Sequence, residues 1–405
     1  MENKQILILT SIYPAPDINI SNNTGVVHYF AREWVKQGHK VLVVHNYPIY
    51  MRLFHWIAGF SDKMIASRFN TSVTTMYQTN DVEYEMDGVK VVRMPLYKPL
   101  PRRGVPRKNM IRQIEKIATW CKKQGFVPDY ITSHNFYPHI EMVNHLKSKY
   151  FPNAKTCVVV HKQAMKMLDY IEGDYREAIR KVDVWGYRSL PLKHEFESYS
   201  EVVPERQFMC YSGVPAHFLG YAKLCEICKP VQHFVYVGAF IRRKYPEKLL
   251  LALKRCRLEN FTLDYVGDGA NRKLIENIIT DNGWQQYVTL HGKVQRDLVP
   301  HFISKSQCFI MISEEETFGL VYLEAMSMGC ITIASRNEGM EGIIEDGVNG
   351  FLCRAGDECE LAQIIDKINI LSDEELLRIS ENARKTAIRL TDEKVARMYL
   401  DGLEC

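Results

Sequence analysis

No stretch of this 405-residue chain holds the roughly 18 consecutive apolar residues that a membrane-spanning helix needs. The opening residues, MENKQILILT, carry too short an apolar run for a secretory leader. Charge of one sign is scarce as well: a net +4 is mild and gives no reason to expect a nucleic acid partner. Cys225 and Cys228 form one metal-like pair, but no second pair accompanies them, which argues against a four-cysteine zinc site. Repeats and low-complexity tracts are missing. So is any Asp-x-Asp pair, the usual way to chelate a divalent ion with two carboxylates, and no metal is therefore expected. The eleven cysteines are odd in number, and Cys157, Cys308 and Cys330 lie in apolar runs, as reduced buried thiols do. With no leader in view, a reducing cytoplasmic location is the expectation.

What is present is a soluble, globular composition, 46% hydrophobic and 25% charged, long enough for two domains. Short apolar runs of strand length alternate with helical patterns. The first series has strands over residues 6–9, 41–44, 89–93, 130–133 and 156–160, with a helix over 26–37 that Gly38 stops. The second has strands over 234–237, 263–266, 288–291, 308–312 and 330–334, with helical patterns over 247–256, 271–282 and 297–304. Such alternation predicts two parallel, doubly wound, Rossmann-like α/β domains facing an interdomain cleft. The boundaries follow from composition. Residues 1–215 form the first domain, 216–232 a linker short of periodic pattern and flanked by Pro215 and Pro230, and 233–390 the second domain.

The richest stretch is SEEETFGLVYLEAMSMG, residues 313–329. It lies between two apolar strands, so it is the loop and helix of a β–loop–helix–β unit, where ligands gather. The helix N-terminus near Phe318, Gly319 and Leu320 offers backbone N–H groups and the positive end of a dipole to an anion. Glu316 precedes the helix and Glu324 lies about one turn inside it, its Cβ tilted back toward the N-terminus. The helix is otherwise almost wholly apolar, so it is buried all round, and a buried carboxylate needs a partner. An anion flanked by two hydrogen-bond acceptors suits a ligand with hydroxyls at both ends and a phosphate bridge between them, a nucleotide-sugar.

The Glu-x7-Glu spacing, with Phe-Gly after the first Glu and Glu-Ala-Met-x-x-Gly at the second, resembles the signature of glycosyltransferase family 4, retaining enzymes of the GT-B fold. The resemblance implies that Glu316 binds the donor hexose and Glu324 the nucleotide ribose, with the backbone of Phe318, Gly319 and Leu320 against hexose and diphosphate. The segment VYVGAFIRRKYPEK resembles the family's Gly-Arg-x-x-x-x-Lys-Gly loop: Lys244 falls on its lysine, while Ala239 replaces the arginine and Tyr245 the glycine. Arg242 or Arg243 is left to supply the missing charge. TCVVVHK resembles the segment whose histidine contacts the donor hexose, here His161, and the Asn23-Thr24-Gly25 loop puts Gly25 near the donor phosphates. His134 ends a parallel strand in the same way. The final helix, 391–405, crosses back to the first domain in the family.

The implied activity is a metal-independent, retaining transfer of a hexose from a nucleotide-sugar to a hydroxyl acceptor, with Lys244, Arg243, Glu316 and His161 at the reacting centre. Other readings on the same fold stay open: a nucleotide-sugar epimerase, a phosphorylase, or a non-catalytic nucleotide-sugar-binding assembly protein. On the acceptor side, residues 47–60 (YPIYMRLFHWIAGF) form an aromatic, apolar segment. Lys98, Arg102, Arg103, Arg107, Lys108, Arg112 and Lys116 form a basic cluster nearby in sequence. Together they suit an anionic bilayer surface, and hence a lipid-linked or surface-polysaccharide acceptor at the inner face of the cell membrane.

Overall fold

A computed structural model describes residues 3–18, 25–58, 77–100, 103–221, 226–256, 258 and 260–404. Asn23, Thr24, Phe60, Arg102 and Cys225, named above, lie outside the described residues. The chain divides into two compact units. One comprises the residues up to Arg188, Leu192–Cys210 and the chain from Ala396 onward; the other comprises Ser189–Pro191 and Tyr211–Val395. The main change of unit thus falls between Cys210 and Tyr211, ahead of residues 216–232.

The first unit is built on an eight-stranded sheet in the order β3-β4-β2-β1-β5-β6-β7-β8. Its strands are β1 Gln5–Thr10, β2 Lys40–Ile49, β3 Val82–Met86, β4 Val89–Tyr97, β5 Tyr130–His134, β6 Lys155–Val160, β7 Val184–Tyr187 and β8 Gln207–Met209. All neighbours run parallel except β3 and β4. The central strands are apolar on both faces, as a sheet covered on both sides requires: Ile6, Leu7, Ile8 and Leu9 of β1 are fully buried. Each such side chain contributes about 1.5–3 kcal/mol on burial. Strands β3, β7 and β8 were not legible in the apolar pattern. β3 is an edge strand that exposes Glu83 and Glu85, and β8 has only three residues. The Val26–Lys36 helix buries Phe30 and Trp34. The Trp34 indole N–H donates to the Ala396 carbonyl at 2.8 Å, which fastens the last helix to this unit.

The 47–60 stretch is not one surface segment. Tyr47 and Ile49 are buried in β2 and Tyr50 is buried beside it, because β2 continues to Ile49 in register with β4. Residues 52–58 are helical, and there Leu53 and Trp56 face solvent, 58% and 65% exposed. The basic cluster is likewise no plain loop. Arg107, Lys108, Arg112 and Lys116 lie on the Arg107–Lys123 helix; Arg107 pairs with Glu172 and Lys116 with Asp81, while Lys98 is largely withdrawn from solvent.

The second unit carries a six-stranded sheet in the order β11-β10-β9-β12-β13-β14. Its strands are β9 His233–Val237, β10 Thr262–Val266, β11 Val288–Gly292, β12 Cys308–Ile310, β13 Ile331–Ser335 and β14 Phe351–Cys353, all parallel. Among the described residues no helix of either unit is long and apolar enough to cross a membrane.

Candidate functional site

In the second unit the strand order reverses between β9 and β12, and such a switch point opens a crevice at the carboxyl ends of the two strands. Two loops leave the sheet there. The one after β9 holds the Arg242–Lys244 turn; the one after β12 holds Ser313 to Gly319 and feeds the Leu320–Ser327 helix. Topology alone therefore brings the cations of one loop to the carboxylates of the other.

Glu316 is the meeting point. Its Oε2 lies 3.2 Å from Lys244 Nζ and 3.8 Å from Arg243 NH1, and it accepts from the Ser313 hydroxyl at 3.4 Å. Ser313 also bonds the Tyr322 hydroxyl at 3.0 Å, and Tyr322 donates to the Met311 carbonyl at 2.8 Å. The loop backbone is held from outside. Glu338 accepts the amide protons of Glu315 and Glu316 at 3.0 and 2.7 Å, which sustains a left-handed φ of +55° at Glu315. Gly319 caps the helix at φ +85°, and a Cβ there would fall 2.4 Å from the Tyr322 ring. Only glycine meets both demands. Of the two candidate arginines, Arg243 is the one that reaches Glu316. Tyr245, standing where glycine is expected, keeps a left-handed φ of +45°, and its hydroxyl donates to Glu314.

Glu324 sits differently. It faces inward from the helix and is only 4% exposed. Arg296, in the turn after β11, donates to Glu324 Oε1 from Nε at 3.0 Å and from NH2 at 2.7 Å. Burial raises the Glu324 carboxyl above the ordinary carboxylate range, and Arg296 opposes that rise. The buried carboxylate thus has the partner that its environment demands.

The first unit has its own switch point, between β1 and β5. Gly25 caps the Val26–Lys36 helix, and the Tyr29 ring lies where a Cβ at position 25 would be, 2.7 Å away. His134 ends β5 and His161 follows β6, with His134 Nδ1 and His161 Nε2 2.9 Å apart in a hydrogen bond. Burial drives both imidazoles well below their ordinary range, so each is neutral at physiological pH. Arg188, itself 1% exposed, adds a fixed positive charge and donates to the Cys210 carbonyl at 2.6 Å.

The structure therefore gathers Arg243, Lys244 and Glu316 into one cluster, and Phe318, Gly319, Leu320 and Glu324 along the same loop and helix. Gly25, His134 and His161 belong to the other unit. Arg296 and Glu338 were not singled out from sequence. Arg296 lies in a polar loop with no pattern of its own, and the demand of a buried Glu324 for a cation was its only trace. Glu338 lies in the glycine-rich 337–351 segment, where a carboxylate amid turns gives no hint of which amides it binds.

Residues 229–386 match the family described as glycosyl transferases group 1. Over 173 residues the chain is 33% identical to the N-acetyl-alpha-D-glucosaminyl L-malate synthase of Bacillus anthracis, covering 42% of this chain and 41% of that one. Over 169 residues it is 31% identical to the lipopolysaccharide core biosynthesis glycosyltransferase LpsE of Rhizobium meliloti, covering 41% and 48%. The chain thus spans less than half the length of these curated relatives. Among solved structures it is similar to a glycosyltransferase from Rickettsia africae, with TM-score 0.70 and 16% identity over 100% of this chain and 98% of that one. It is also similar to Anabaena HepE in complex with UDP and glucose, with TM-score 0.65 and 17% identity over 99% and 100%. At such identities the likeness is one of fold. Residues 229–386 thus match the glycosyl transferases group 1, and the chain as a whole has the GT-B fold of its structural neighbours.

Proposed function

We propose that this chain is a retaining glycosyltransferase that moves a hexose from a nucleotide-sugar to a hydroxyl acceptor. The observation that carries the reading is the pair of carboxylates at one helix start, Glu316 beside Lys244 and Arg243, and Glu324 on Arg296. In this reading Glu316 holds the hexose hydroxyls and Glu324 the ribose hydroxyls. The diphosphate between them meets the amides that open the Leu320–Ser327 helix, with Gly319 leaving room for close approach. As the bond from the anomeric carbon to the diphosphate breaks, negative charge grows on the leaving group. Lys244 and Arg243 meet that charge, so no metal is required. Glu316 keeps the two cations in place before the donor arrives.

We read the acceptor as a glycan or lipid-linked hydroxyl. The LpsE relative, named for lipopolysaccharide core biosynthesis, supports this reading, and so do the exposed Leu53 and Trp56 and the exposed cations of the Arg107–Lys123 helix. The enzyme would then work in the cytoplasm, peripherally at an anionic membrane surface. A thermal-shift screen of nucleotide-sugars, followed by assay of the stabilising one, tests the activity. Release of nucleoside diphosphate that depends on a hydroxyl acceptor is expected. Interconversion of the sugar with no acceptor present would overturn it in favour of an epimerase.

A further inference from the structure

Glu324 is buried in a helix whose neighbours offer it few charges. Arg296 donates to it from the turn after β11, and Asp392, at the start of the final helix, sets a second negative charge against it. The Asp373–Arg389 helix presents Ser380 and Arg384 at Gly329, beyond the far end of the Leu320–Ser327 helix. In the Val299–Ile303 helix, His301 is engaged with Lys305, and in the Ala216–Gly220 turn His217 packs on Phe218. Among the described residues, Arg296 is thus the cation that donates to the carboxylate. Its geometry is specific: Nε and NH2 converge on one oxygen, Oε1, at 3.0 and 2.7 Å, and the guanidinium is about a third exposed while the carboxylate is buried.

We propose that Arg296 is a positioning residue for the nucleotide: it fixes the rotamer of Glu324 through Oε1 and so presents Oε2 to the ribose hydroxyls. The proposal rests on the reading of Glu324 as the ribose acceptor. A planar guanidinium with two converging donors sets the carboxylate plane as well as its position, which a point charge does not. It also keeps the carboxylate ionised where burial and Asp392 both favour the proton. A protonated carboxyl is the weaker acceptor for a diol. Loss of Arg296 therefore has two signatures, a weaker grip on the ribose and a grip that fades in acid.

The test is calorimetric titration of UDP, ADP and GDP, each beside its 2′,3′-dideoxy counterpart, at pH 6 and pH 8.5. The proteins are the wild type, Arg296→Gln, Arg296→Lys and Glu324→Gln. For the nucleotide that binds best, Arg296→Gln is expected to lose about tenfold in affinity, more at pH 6 than at pH 8.5. The dideoxy analogue should be unaffected, having no hydroxyls to lose. Arg296→Lys, which restores charge without the two-point geometry, should flatten the pH dependence and recover part of the affinity. An equal loss on ribo- and dideoxynucleotide would overturn the proposal, since Arg296 would then act on base or phosphate. Unchanged affinity in Arg296→Gln, with Glu324→Gln impaired, would overturn it and leave the ribose reading standing. If Glu324→Gln binds as well as wild type, or if no ribonucleotide binds the wild type, that reading fails and the proposal with it.

Discussion

The switch points of the two units are furnished in opposite ways. In the first, His45, His134, His139 and His161 are neutralised by burial, His45 driven down to about 3 and His139 to about 4. In the second, the charged side chains are paired: Glu316 with Lys244 and Arg243, Glu324 with Arg296, Arg243 also against the carbonyls of Glu314 and Glu315. The same low-dielectric environment thus has two solutions, removal of the charge or its pairing. A neutral lining can exchange hydrogen bonds with sugar hydroxyls at little electrostatic cost. A paired lining can hand its cations to a more negative guest. The contrast teaches that a crevice chooses its ligand chemistry by which charges it can afford to keep.

Acid breaks the comparison most strongly. Four histidines whose folded pKa lies below the unfolded value contribute stability that is complete above about pH 6.5 and is lost as pH falls toward their folded values. The slope reaches roughly 1.4 kcal/mol per pH unit for each. Four of the five tryptophans (Trp34, Trp56, Trp120 and Trp185) lie in the first unit, so intrinsic fluorescence reports mainly on that unit. Its urea midpoint is expected to fall steeply between pH 7 and pH 5.5. A midpoint that stays level over that range would show that the histidines take up protons without cost.

Next in size is the loss of a paired cation. Lys244→Ala should lower kcat about a hundredfold, since removal of one group aimed at developing charge costs about 2.7–4 kcal/mol, with less change in the affinity for donor. Steady-state release of nucleoside diphosphate measures it. Retained turnover in Lys244→Ala, with activity lost in Arg243→Ala, would move the role to the neighbour.

A smaller effect sharpens the comparison from the packing side. Trp34→Phe keeps most of the apolar surface but removes the indole N–H that donates to the Ala396 carbonyl. It should cost the first unit about 1 kcal/mol, read as a lower fluorescence midpoint; no shift would mean that the last helix is held by the Phe30 and Tyr399 ring contact instead.

The smallest effect belongs to the exposed cations. Lys108→Ser should weaken binding to vesicles rich in anionic lipid by about 1 kcal/mol at low salt, in a co-sedimentation assay. Equal recovery of wild type and variant in the supernatant would leave a soluble acceptor as the better reading.

Much of the second unit was legible in the chain. Its strands are short, apolar and evenly spaced, and the Glu-x7-Glu stretch announces both carboxylates. What escaped was whatever depends on contact across sequence. Arg296 meets Glu324 only because the chain folds the turn after β11 onto the Leu320–Ser327 helix, and Glu338 binds amides 22 and 23 positions away. In the first unit the apolar run at 41–44 was plain, but its continuation to Ile49 was hidden by His45, Asn46 and Pro48, whose polarity and missing N–H disguise a strand. For the same reason the aromatics Tyr47 and Tyr50 resembled surface groups when they are core.

Binding of a nucleoside diphosphate and of its nucleotide-sugar to wild type, Glu316→Gln and Glu324→Gln tests the division of labour most directly. A hydrogen bond to a buried charge contributes about 1.5–3 kcal/mol. Glu324→Gln should therefore weaken both ligands by about tenfold or more, whereas Glu316→Gln should spare the diphosphate, weaken the grip on the sugar and lower turnover. A free nucleoside diphosphate that binds Glu324→Gln as tightly as wild type would contradict the account.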